Sequence, residues 1–89
     1  MNELLRQARR FREEKDEFEA RARQTAAFYL VSGIDLDDAL ATTGTERRRI
    51  AAHIARLIER ERLKGVRRHW SYDINRHIAL KQALDRLSA

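Results

Sequence analysis

The stretch LATTGTERRRIAAHIARL, residues 40 to 57, decides the fold, because Gly44 divides two helical patterns within it. After the glycine, apolar residues recur at Ile50, Ile54, Leu57 and Ile58, the spacing that buries one side of a helix. On a helical wheel with Ile50 at zero, these residues and Ala51 fill an arc centred near roughly 35° at about 100° per residue. Thr45, Arg48, Arg49, Ala52 and Arg56 fall on the opposite side, between roughly 160° and 260°. A helix with this pattern pins its reverse into a core and holds out a basic face with one small residue at its centre.

Composition agrees with a helical chain. There is no proline, glycine occurs only at 33, 44 and 65, and Ala, Leu, Arg and Glu abound, while the alternation expected of strands is missing. The expectation is an all-α fold of four helices in a single domain over residues 1–89. Such a short chain buries a modest core, for which oligomerisation is a natural remedy. Without cysteine there is no disulfide framework, thiolate nucleophile or cysteine-based metal site. The longest apolar run, Ala26 to Val31, is too short for a membrane span or signal segment, so a cytoplasmic protein with no membrane partner is expected.

Working outward from Gly44, a long first helix is expected over residues 1–31. Leu4, Ala8, Phe11, Phe18, Ala22 and Tyr29 fall on a heptad seam that Lys15 interrupts. Gly33 should cap it in the left-handed conformation, with Ile34 folding back on the last turn. Asp35 should cap a short second helix in which Leu36, Ala39 and Leu40 face inward and Asp37 and Asp38 complement the dipole. Thr45 is the expected N-cap of a third helix that stops near Leu63, before Gly65. A basic connector over 66–71 should follow, then a fourth helix over 71–88 burying Ile74, Ile78, Leu84 and Leu87. The first helix is much longer than its neighbours, so one end must overhang, and its seam through Leu4, Phe11, Phe18 and Ala22 is the expected homodimer interface.

The net charge of +5 is unevenly spread. Residues 24 to 44 hold three acids and no base, whereas residues 45 to 70 hold nine bases against three acids. Such a concentration is the electrostatic footprint of a polyanion-binding surface. Taken together, residues 35–64 resemble helix-turn-helix DNA-binding domains: an inward leucine, Leu40, precedes the turn glycine, Gly44, and Ile50, Ile54 and Leu57 follow. Leu40 stands where that pattern often carries alanine, and His53 falls beside the apolar face. The resemblance implies that Thr45, Arg47, Arg48, Arg49, Ala52 and Arg56 face duplex DNA, with the second helix across the backbone. No winged hairpin is implied, since only about eight residues separate Gly65 from the next helix and none of them is glycine or proline.

The expected function is therefore a small DNA-binding regulator acting as a homodimer. The alternative is a helical interaction or oligomerisation module that pairs with itself or with an acidic protein and touches no nucleic acid; RNA in place of DNA is a third possibility. Trp70 and Tyr72, flanked by Arg67 and Arg68, are expected to seal the end of the core rather than stack on bases. His69, Asp73 and His77 are spaced four apart, but Asp73 is a natural cap and His77 a boundary residue; capping likewise accounts for Asp35, Asp37 and Asp38. Neither metal nor cofactor is expected. With no phosphate-cradling loop and no nucleophile beside a base, no catalysis is expected either.

Overall fold

The structure, a computed structural model, describes residues 2–89. Four helices follow one another: α1 (Glu3–Ser32), α2 (Leu36–Ala41), α3 (Gly44–Val66) and α4 (Ile74–Ser88). The chain is all-α, and no helix among the described residues is long and apolar enough to cross a membrane.

Local chemistry sets most boundaries. Asn2 Oδ1 accepts the Leu5 N–H at 2.9 Å and starts α1. Gly33, at φ 72°, ends it, donating its N–H to the Tyr29 carbonyl at 2.8 Å. A residue with a Cβ is strained in that conformation, which is why glycine sits there. Asp35 accepts the Asp38 N–H at 3.0 Å and starts α2. Asp73 accepts the N–H groups of Asn75 and Arg76 and starts α4.

The core lies where the last third of α1 meets the other three helices. Phe28, Leu36, Ala39, Ile54, Leu80, Ala83 and Leu87 are buried together, with Ile34 and Leu40 packed against them. Phe28 is the keystone on α1, and truncating it to alanine would cost about 3–5 kcal/mol. By contrast, every residue from 2 to 23 is exposed, so most of α1 projects beyond the core and gives the molecule a long dimension of 54 Å.

Four expectations are corrected by this arrangement. The N-cap position of α3 is Thr43, not Thr45, and its side chain makes no capping bond. Gly44, the first residue of α3, holds φ 57°, so the turn between α2 and α3 still rests on a left-handed glycine. At its other end, α3 runs through Gly65 to Val66, past the expected stop at Leu63. A Cβ at Gly65 would meet the Tyr72 ring at 3.1 Å, so this glycine admits a ring rather than ending a helix. The left-handed residue after α3 is Arg68, at φ 52°, and His69 donates its N–H to the Lys64 carbonyl at 2.9 Å.

The third correction concerns α4. Its buried residues are Ala79, Leu80, Ala83 and Leu87; Leu84 is half-buried, whereas Ile74 and Ile78 are exposed. Because α4 packs against both α1 and α3, small Ala79 and Ala83 let it lie close to its neighbours. The isoleucines are turned out as a result. The connector also departs from expectation: Trp70 is 90% exposed and stacks on His69, while Tyr72 is half-buried and packs against Gly65 and His77.

Candidate nucleic-acid interface

The outward face of α3 is built by the residues that pin its reverse. Ile54 is fully buried, and Ile50, Ala51, Leu57 and Ile58 are half-buried on the same side. That anchoring turns Thr45, Arg48, Arg49, Ala52 and Arg56 outward, and all five are exposed. Arg48 Nη2 donates to Thr45 Oγ1 at 3.0 Å, which holds one guanidinium along the first turn. Among the described residues, none of Arg48, Arg49 and Arg56 is paired with a carboxylate. Small Ala52 on the same face leaves room for a close approach, and an exposed guanidinium is the side-chain group best suited to bidentate contacts with phosphates or guanine edges.

Arg47 does not belong to this set. Its Nε donates to the Leu87 carbonyl at 3.0 Å, and its Nη1 donates to the carbonyls of Leu40 at 2.9 Å and Thr42 at 3.3 Å. These carbonyls lie at the C-terminal ends of α4 and α2, where helix dipoles favour a cation. Arg47 is therefore a clamp between three helices, a correction to its expected place on the outward face. The signal was available: on the wheel centred on Ile50, Arg47 falls at roughly 60°, inside the apolar arc.

Glu61 lies inside the same apolar arc, at roughly 20° on that wheel. It is 3% exposed and accepts from Arg76 Nη1 at 3.1 Å and Lys64 Nζ at 3.3 Å. Burial pushes its carboxyl up, but the hydrogen bonds and charges of Arg76 and Lys64 outweigh that and hold it below the ordinary carboxylate value. It ties α3 to α4. On the exposed side, Arg62 grips both oxygens of Glu59 at 2.9 and 2.7 Å, which also lowers the Glu59 carboxyl.

The remaining candidates are placed as follows. Leu4, Phe11, Phe18 and Ala22 all stand exposed on α1. His69 Nδ1 pairs with Ser71, and His77 Nδ1 with the Tyr72 hydroxyl at 3.3 Å, so the two imidazoles serve separate contacts. Among the described residues, no group of three or more His, Asp or Glu side chains is arranged to hold a metal ion. Comparison of the chain with family models, with characterised proteins and with solved structures finds no match.

Proposed function

We propose that this protein is a small helix-turn-helix regulator that binds duplex DNA as a homodimer, seating α3 in the major groove. The observation that carries the reading is the outward face of α3: Arg48, Arg49 and Arg56 are exposed around Ala52 and paired with no acid among the described residues. Left-handed Gly44 adds support, since it sets α2 and α3 in the sharp turn that a helix-turn-helix needs. The role is binding rather than catalysis, in the reducing cytoplasm, with no cofactor.

Mobility shifts on random-sequence duplex test the proposal. The wild type should retard the duplex at low salt, and the Arg48→Ala, Arg49→Ala double variant should lose about tenfold or more in affinity. Equal retention by both would overturn the reading. Structured RNA as competitor decides between the two nucleic acids: displacement by RNA in preference to duplex DNA would replace DNA as the partner.

A second reading is favoured by a different observation. The apolar residues of the α1 overhang, Phe18 at 73% exposure among them, have no cover among the described residues. On that reading the protein is an interaction module, pairing with itself or with an acidic protein. Retention of no nucleic acid by a chain that still self-associates would favour it.

A further inference from the structure

The α1 seam has an order that selects its occupant. Leu4, Phe11, Phe18 and Thr25 form one row, and Ala8, Lys15, Ala22 and Tyr29 the other, so successive members are alternately four and three residues apart. That is the spacing of a two-stranded coiled coil. Large side chains fill the first row through its exposed part, while Ala8 and Ala22 leave gaps in the second.

We propose that a second copy of this chain covers the seam, running antiparallel in the register that sets Phe11 opposite Ala22 of the second copy. Leu4 then meets Tyr29, Ala8 meets Thr25, and Lys15 lies over the face of Phe18, each layer occurring twice about the two-fold axis. Large residues sit over small ones, and the lysine that interrupts the seam gains an aromatic face. Beside these layers, Arg12 flanks Glu19 of the second copy and Glu14 flanks its Arg21, so all four flanking ion pairs are of opposite charge.

Other arrangements fail on the same residues. A parallel pair stacks phenylalanine on phenylalanine and alanine on alanine, opposes Lys15 to Lys15, and sets Glu14 beside Glu19. Sliding the antiparallel pair by one heptad in one direction opposes Glu14 to Glu14 and Arg12 to Arg12; in the other it opposes Glu19 to Glu19 and Arg21 to Arg21. Only the register with Phe11 on Ala22 is free of like-charge flanks while using the whole seam.

An open groove of about 670 Å³ lies along the second half of the seam, floored by Phe18, Ala22, Ala26 and Tyr29. The N-terminal half of the second copy, with Leu4, Leu5 and Phe11, fills it. Residue 5 of one copy is then level with Ala26 to Phe28 of the other. The two Phe28-centred cores stand roughly 35 Å apart along the helix axis at about 1.5 Å per residue. One duplex turn has the same length. The proposal rests on the homodimer of the preceding section, but not on DNA.

The chain has no cysteine, so single-cysteine variants report the register directly. Ala8→Cys and Thr25→Cys proteins are oxidised separately and as an equimolar mixture, without DNA, and run on a non-reducing gel. The mixture should give at least tenfold more covalent dimer than either variant alone, because like cysteines lie roughly 25 Å apart in this register. Phe11→Cys with Ala22→Cys provides an independent second pair, and sedimentation gives the mass of the wild type. Self-cross-linking of Ala8→Cys, no hetero-cross-link from either pair, or a monomeric wild type would overturn the register. Since no DNA is present, these outcomes leave the duplex-binding reading to its own test.

Discussion

Arg47 on α3 donates to the Leu87 carbonyl at 3.0 Å, joining the start of one helix to the end of another forty residues away. The same guanidinium holds the carbonyls of Leu40 and Thr42, so one side chain closes the C-terminal ends of α2 and α4 together. This contact orients α3 against the core and thereby fixes where its neighbours Arg48 and Arg49 point.

Arg47→Ala should accordingly cost about 2–3 kcal/mol of stability, because charge-assisted bonds are lost and carbonyls are left unpaired. Urea unfolding measures this. Arg47→Lys should recover only part of the loss, since an ammonium cannot reproduce the spread of a planar fork. A surface arginine would change stability by a few tenths at most.

Two left-handed positions give opposite effects on the same measurement. Gly33→Ala should lower stability by about 1 kcal/mol, since φ 72° is strained for a residue with a Cβ. Arg68→Gly should raise it by about 0.5–1 kcal/mol by relieving strain at φ 52°. Thermal unfolding of the two variants should therefore move the midpoint in opposite directions.

Glu61 gives the fold a pH dependence. Its carboxyl is held below the ordinary value of 4.5 in the folded state by Arg76 and Lys64, despite burial. The unfolded chain therefore takes up the proton first as pH falls. The stabilisation is fully present above that ordinary value and is lost as pH drops through the folded value. Urea midpoints from pH 6 to pH 3 should fall more steeply for the wild type than for Glu61→Gln, which should be the weaker protein at pH 6. Parallel curves would show that the carboxylate carries no such linkage.

The seam on α1 should be separable from the core. Phe18→Glu should abolish self-association while changing the monomer's unfolding free energy by no more than about 0.5 kcal/mol, since an exposed residue away from the core has little to lose. Arg12→Glu should weaken the dimer about tenfold, and adding Glu19→Arg should restore it by re-forming the flanking pair. Sedimentation equilibrium across this series measures both effects.

The elements legible in sequence were those set by local chemistry. Gly33, Asp35, Gly44 and Asp73 mark boundaries through backbone conformation and capping, which depend on a few adjacent residues. The inward leucine and isoleucines of α3 were equally plain, because a single face of that helix is buried. What sequence obscured was non-local. Arg47 and Glu61 sit on the apolar arc of α3, but their charge reads as surface until partners at Leu87 and Arg76 are brought to them. On α4, Ile74 and Ile78 outweigh Ala79 and Ala83 by hydrophobicity, yet a helix packed against two others needs small residues at the contacts. The residue type of Trp70 points inward, yet nothing small stands opposite it, whereas Tyr72 has Gly65 to pack against.

The salt dependence of duplex binding tests the central claim most directly. For the wild type, the logarithm of the binding constant should fall linearly with the logarithm of salt concentration, and the Arg48→Ala, Arg49→Ala double variant should show a slope shallower by about four, two arginines being lost from each protomer of the dimer. The same slope and affinity for both proteins, or no retardation of duplex at low salt, would contradict the account.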